Sequence, residues 1–150
     1  MSRIILLDAG PLGYALTPKV NETHRGCARW LRTLMANRES VAIAEIADYE
    51  CRRGWLRTDN AEAIANLDRL KALLSYVPIT TGAMLMAAEL WARARKGGYA
   101  TAGDESLDAD VILAAQASLL AGEGPEVVVA TTNVRHVARF VPAKKWEEIT

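Results

Sequence analysis

Arg3 to Gly13 reads RIILLDAGPLG: four apolar residues, Ile4 to Leu7, run into a single aspartate, Asp8, and Gly10 and Pro11 follow. A continuous apolar run bounded by a turn signal is the pattern of a strand buried on both faces, as in a parallel sheet covered by helices. Asp8 then stands at the mouth of that strand, and the glycine and proline predict a tight turn. Taken alone, the aspartate reads equally as an Asx-type turn residue bonding its own backbone and as a functional carboxylate.

Outward from this stretch, strand and helix patterns alternate. Asn21 to Arg38 carries Cys27, Trp30, Leu31, Leu34 and Met35 on one helical stripe. Val41 to Ile43 predicts a short strand that leads into a helix over Glu45 to Arg57. Asp59 and Glu62 form a D-x-x-E capping signal for a helix bearing Ile64, Leu67, Leu70 and Leu74. Tyr76 to Ile79 reads as a strand, and Thr81 as the cap of a helix through Met84, Ala88 and Trp91. Lys96 to Leu107 holds three glycines and reads as a loop, followed by a helix over Asp108 to Ala121 that GEGP ends. Val127 to Ala130 is the second continuous apolar run, and Trp146 to Ile149 a weaker strand. The fold class predicted is α/β, a three-layer α/β/α sandwich with a central mostly parallel sheet, in a single domain over residues 1–150. In such a sheet ligands bind beyond the carboxyl ends of the strands, where Asp8 and Thr131, Thr132 and Asn133 fall.

Composition sets limits on function. Of 150 residues, 51% are hydrophobic and 24% charged, enough apolar content for one sizeable core. The formal net charge is zero, so no global positive field gathers nucleic acid; polyanion binding needs a local patch or a bound cation. Cys27 and Cys51 form no CxxC and sit in predicted helices, which argues against a zinc site or a disulfide framework. No signal-peptide pattern and no apolar run near the roughly 20 residues of a membrane span predict a cytoplasmic protein.

Three further acids stand out. On the helix around IAEIADYECRRG, the stripe Ile43, Ile46, Ala47, Glu50 and Gly54 places Glu50 on the inward face, where a carboxylate is costly unless paired, hydrogen-bonded or metal-bound. Its bland reading is an ion pair with Arg53 or with a basic residue on a neighbouring helix. Glu45 lies about 140° around the same helix and reads as solvated or as an acid favoured near a helix N-terminus. LDADVILAAQA puts Asp108 and Asp110 at a helix start, where capping alone would account for both. Carboxylates from separate segments that meet without an equal stock of bases require something cationic among them, and oxygen-only donors suit Mg²⁺ or Mn²⁺.

These residues together resemble a known family. LLDAGPLG resembles the first motif of PIN-domain nucleases, ADYECRRG the second, DADVILAAQA the third, and VVVATTNVRHVARF the closing one. The four stand in the family's order from Ile4 to Phe140, and the pattern is most similar to VapC-like toxins. The resemblance implies a PIN-like fold and an Mg²⁺- or Mn²⁺-dependent endoribonuclease that hydrolyses RNA phosphodiesters to 5′-phosphate and 3′-hydroxyl ends. It implies the toxin of a type II toxin–antitoxin pair, with a small antitoxin partner and a homodimer. Residue by residue, it makes Asp8, Glu50 and Asp110 the metal-binding carboxylates, with Asp108 a further member. Thr132 would hydrogen-bond a carboxylate or the phosphate. Asn133 occupies a position that is often acidic and brings no charge.

Arg52, Arg53 and Arg57, beside Glu50, are candidates to hold RNA backbone, as are Arg93, Arg95 and Lys96; solvated helix faces explain both groups equally. Trp55 reads as core rather than as a base-stacking group. A haloacid-dehalogenase-like phosphotransferase would need a second aspartate where Gly10 stands. A serine hydrolase finds no GxSxG, and His136 without a placed partner reads as structural. The alternative from another class is a PIN fold kept for binding RNA or protein, with weak or lost catalysis. Trp30, Met35, Trp91 and the leucine-rich helix after Asp59 offer apolar surface for partners, though core burial explains most of it.

Overall fold

The structure, a computed structural model, describes residues 2–98 and 104–150. Its centre is a five-stranded sheet in the order β3-β2-β1-β4-β5, parallel at every pairing. The strands are β1 (Arg3–Leu7), β2 (Ser40–Ala44), β3 (Ser75–Val77), β4 (Glu126–Ala130) and β5 (Ala143–Lys144). β1 lies between β2 and β4, with Ile5 opposite both Val41 and Val128. Ile5, Leu6 and Leu7 are fully buried as a result, and an unbroken apolar run is what such a position demands. The edge strands are only two or three residues long, which limits exposed pairing edge.

The helices are α1 (Ala9–Leu16), α2 (Glu22–Ala36), α3 (Glu45–Arg57), α4 (Ala61–Lys71), α5 (Thr81–Lys96), α6 (Asp104–Ala121) and α7 (Val134–Val137). Right-handed crossovers put α1 to α4 on one face of the sheet and the β3-to-β4 connection, α5 and α6, on the other. The packing agrees: α1 lies against α2 and α3, α3 against α4, and α5 against α6. Among the described residues no helix is long and apolar enough to cross a membrane.

Several local expectations change in the fold. Gly10 and Pro11 form no free turn; they sit in the first turn of α1, where proline's missing N–H costs nothing, and Asp8 is the N-cap. Asn60, not Asp59, caps α4 by accepting from Ala63 N at 3.1 Å, while Asp59 takes φ 56°. Thr80 rather than Thr81 caps α5. The predicted loop at Lys96 to Leu107 lies partly outside the described residues; Lys96 still belongs to α5, and α6 has begun by Asp104. The expected strand at Trp146 to Ile149 is a 3-10 turn, Trp146–Glu148, and the fifth strand precedes it. Aromatic packing decides that end of the chain: Trp146 tilts against Trp30 at 5.8 Å, and Trp30 Nε1 donates to Ile149 O at 2.7 Å.

Candidate active site

The chain runs β1, β2, β3 toward one edge, then returns to place β4 on the other side of β1. The direction of winding therefore reverses between β1 and β4, and a crevice opens there beyond the strand ends. Asp8 is the first residue past β1. Its backbone N–H donates to Ala130 O at 3.0 Å, and its carboxylate accepts from Ala9 N and Thr131 Oγ1, both at 2.7 Å. Glu50 reaches the crevice from α3 and Asp110 from α6; α3 and α6 pack against each other. Asn133, past β4, directs its amide toward both Asp110 carboxylate oxygens at 3.5 Å, and its own backbone N–H donates to Thr131 Oγ1 at 2.9 Å.

Charge couples these acids to one another. Burial pushes the Asp110 carboxyl up to about 6, and the negative charge of Asp8 adds to that. Burial likewise pushes Glu50 up to about 7, with Asp8 and Asp110 both adding and Arg53 opposing. Asp8 itself is raised by burial in spite of its two hydrogen bonds. Asp8 thus resists the ionisation of both other carboxylates, and Asp110 that of Glu50. The cations nearby are few: Arg53 approaches Glu50 only to 4.0 Å, and Arg139 acts on Asp110 from a distance.

Three carboxylates and an amide oxygen match the donor chemistry of a hard divalent cation. Among the described residues, no three histidine, cysteine, aspartate or glutamate side chains converge on one point as ligands. The reason is visible in their partners: Asp8 is turned to Ala9 and Thr131, Glu50 to Arg53, and Asp110 to Asn133. The set fits a divalent ion in charge and atom type.

Not every residue singled out in the sequence comes to this crevice. Asp108 lies two residues from Asp110, about 200° around the helix; it is exposed and lines a cavity of about 400 Å³ with Met84, Trp91 and Ile112. Because α6 starts at Asp104 or before, neither aspartate is its N-cap. The hydroxyl that reaches Asp8 belongs to Thr131, which is fully buried, whereas Thr132 is exposed and faces Gly10. Register explains this: Leu7 pairs with Ala130, so Asp8 and Thr131 are the next neighbours and share a face. On α3 Ile46, Ala47 and Asp48 are buried and Glu50 is half-buried; Ile43 belongs to β2 and Gly54 is exposed.

Arg52 is committed elsewhere, bonded to Asp48 at 2.8 Å and to Asp68 at 2.9 Å, so it does not stand ready for RNA backbone. Arg53 and Arg57 are exposed. Glu45 opens α3, the second of its two readings, and accepts from Ile79 N at 2.7 Å instead of being solvated. Trp30, Met35 and Trp55 pack on the main core, and Trp91 on a second cluster around Ala87 and Val111. The thiol of Cys51 donates to Ala9 O at 3.3 Å and burial pushes it up to about 12, so it is no nucleophile.

Two structural residues escaped the sequence reading. Gln116, in α6, is buried; it donates to Val77 O at 2.6 Å and accepts from Ile46 N at 3.4 Å, serving the start of α3 where Ala44 cannot cap. Asp48 is buried on the face of α3 toward α4 and β3, accepting from Arg52, from Tyr76 Oη at 2.9 Å and from Lys71 at 3.2 Å. Burial raises its carboxyl, but these bonds outweigh burial and hold it below the usual range. Asp48→Ala removes the partner of Lys71 and of the Tyr76 hydroxyl and leaves Arg52 with Asp68 alone. It is expected to destabilise the fold by about 2–4 kcal/mol, read from the urea midpoint; an unchanged midpoint would mean the network holds nothing.

Gly10 marks a tight approach between α1 and the segment after β4. A Cβ there would lie 2.5 Å from Thr132 Oγ1 and 2.7 Å from its Cγ2. Gly10→Ala is therefore expected to cost about 1–3 kcal/mol of stability. Adding Thr132→Ala should recover most of it in thermal unfolding, because the clashing atoms are gone.

No family model matches the sequence, and no curated protein matches it. Solved structures do match in fold. A chain of VapBC2 from Rickettsia felis, bound to a DNA fragment from their promoter, superimposes with TM-score 0.69 at 18% identity, covering 95% of this chain and 98% of that one. A chain of VapBC-1 from nontypeable Haemophilus influenzae gives 0.69 at 17% identity, with 97% and 99% covered. A chain of DNA-bound VapBC from Salmonella typhimurium gives 0.62 at 19%, again covering 97% and 99%. With its all-parallel 3-2-1-4-5 sheet flanked by helices, this chain has the PIN-like fold that it shares, over nearly its whole length, with a chain of each of these VapBC structures.

Proposed function

We propose that this protein is a metal-dependent endoribonuclease, the toxin of a type II toxin–antitoxin pair. The observation that carries the proposal is that Asp8, Glu50 and Asp110, from three separate segments, lie near enough to one another where the sheet reverses for Asp8 to oppose the ionisation of both others and Asp110 that of Glu50. Such mutual repulsion is the condition a divalent cation relieves. Asp8 and Asp110 would be the principal ligands of Mg²⁺ or Mn²⁺, with Glu50 a ligand or the group that orients water. When bound, the ion supplies Lewis acidity toward water and the phosphate oxygens. Thr131 holds the Asp8 carboxylate in place, and Asn133 does the same for Asp110. Arg53, exposed and at 4.0 Å from Glu50, is placed to contact the phosphate of the strand being cut. The likeness to chains of VapBC structures supports a toxin–antitoxin role and an antitoxin partner, and the family resemblance implies a homodimer.

The test is cleavage of a mixed single-stranded RNA by the purified protein. Cleavage in Mg²⁺ or Mn²⁺ leaving 5′-phosphate ends, and none in EDTA, is expected. Cleavage that survives EDTA would overturn the metal site. A PIN-fold binding module with lost catalysis has Asn133 in its favour, an amide where an acid would add charge; RNA binding without cleavage in either metal would select it.

A further inference from the structure

A groove of about 530 Å³ opens between α3 and the α5–α6 pair, walled by Ile46, Tyr49, Tyr76, Ile79, Met84 and Ile112. Its volume is that of a small-molecule site. The charged groups on its wall are engaged within the fold: Arg52 and Lys71 pair with Asp48, and Glu45 accepts from Ile79 N. The rest of the wall is mostly apolar, with one aromatic ring standing out: Tyr49 is 56% exposed, although burial of a tyrosine is normally favourable.

Tyr49 is tied to the carboxylates through a single cation. The Arg53 guanidinium lies 5.0 Å from the centre of the Tyr49 ring, and the same group is 4.0 Å from Glu50 Oε2. The ring centre is therefore at most about 10 Å from the Glu50 carboxylate, allowing one C–N bond between the two contacts. That is within reach of a base neighbouring the phosphodiester at the carboxylates.

We propose that Tyr49 and Arg53 form a nucleobase subsite, in which an unpaired base next to the cleaved bond stacks on Tyr49 while Arg53 holds its phosphate. This rests on RNA being the substrate. An exposed ring beside a guanidinium, with an apolar wall behind, is how single-stranded RNA is held without a base code: every base has a π-face, and the cation meets the backbone. The subsite requires an unpaired base, so the strand cut is single-stranded at that position.

The experiment measures binding of a fluorescein-labelled single-stranded decaribonucleotide of mixed sequence, in Ca²⁺ and without cleavage, alongside cleavage in Mg²⁺. Tyr49→Ala is expected to raise Kd about 5- to 100-fold with an unchanged unfolding midpoint, since the ring is exposed. Tyr49→Trp is expected to bind within about threefold of the parent, as stacking predicts. Wild-type binding by Tyr49→Ala, in a protein that cleaves RNA in Mg²⁺, overturns the subsite and leaves the nuclease standing. Binding that falls with Tyr49→Ala, in a protein that never cleaves, supports the subsite and overturns the nuclease. A change in molar mass by light scattering with Tyr49→Ala, RNA binding being unaltered, assigns the groove to a second copy of the chain and overturns the subsite. A parent protein that neither binds nor cleaves RNA overturns both.

Discussion

Asp8→Asn is expected to remove metal-dependent RNA cleavage by a hundredfold or more while leaving the fold intact. The substitution keeps the shape of the side chain and one of its oxygens, so a partner remains for either Thr131 Oγ1 or Ala9 N. What it removes is the charge at the centre of the three-carboxylate set. A cation's stabilisation of a phosphoryl transition state is worth several kcal/mol, and each 1.4 kcal/mol is about a tenfold change in rate. Burial already disfavours the ionised form of Asp8, so the neutral variant should unfold at the same temperature as the parent or higher. The measurement is the initial rate on a labelled RNA in Mg²⁺ and Mn²⁺, with thermal unfolding of the same samples. A variant that is well folded and retains more than a tenth of the parent's rate would remove Asp8 from the metal site.

The second large effect is on stability as a function of pH. Glu50 is pushed from 4.5 to about 7 and Asp110 from 3.8 to about 6, burial leading and the neighbouring carboxylates adding. In the window between the ordinary and the raised values, the folded chain keeps protons that the unfolded chain has released. Stability from these two groups is therefore fully present below about pH 4. It is lost as pH rises through about 6 and 7. Each tenfold gain in proton affinity on folding is worth about 1.4 kcal/mol, and with Glu50 still 26% exposed the loss is on the order of 3 kcal/mol. For a chain of this size that is about 5–10 °C in Tm. In EDTA the midpoint should fall between pH 5 and pH 8, Glu50→Gln should flatten the fall, and millimolar Mg²⁺ should reverse it at pH 8. A midpoint that rises across this range in EDTA would mean that the three carboxylates do not strain the fold. Asp48 acts with the opposite sign and at lower pH: its depressed carboxyl supports the fold at neutrality, and that support is lost as pH falls through its folded value.

The two effects share one cause. Carboxylates brought together in a partly buried crevice cost stability when no cation is present, and the same arrangement would give a cation its binding energy. The fold meets that cost elsewhere, through the fully buried β1 and β4 residues and the Asp48 network under α3. Asn133 fits this balance: an amide there adds a bond to Asp110 without adding a fourth negative charge.

The two unbroken apolar runs, Ile4 to Leu7 and Val127 to Ala130, and the helical stripes between them determined the α/β class and the parallel sheet by themselves, because burial on two faces leaves no other pattern. The α3 boundaries, and Glu50 as an acid on an apolar stripe, were likewise legible from local periodicity, whereas Asp8 and Asp110, which a turn and a cap explain when taken alone, were singled out only by the family resemblance. What only tertiary structure decided is which neighbour each of them meets. Register between β1 and β4 selects Thr131 over Thr132 for Asp8, and the start of α6 turns Asp108 away from the side of Asp110. Arg52 is drawn to Asp48 and Asp68, while Tyr49 is left exposed beside the groove. Strand register, helix rotation and cross-chain pairing are set by contacts between residues far apart in the sequence, and a period of two or 3.6 holds no record of them.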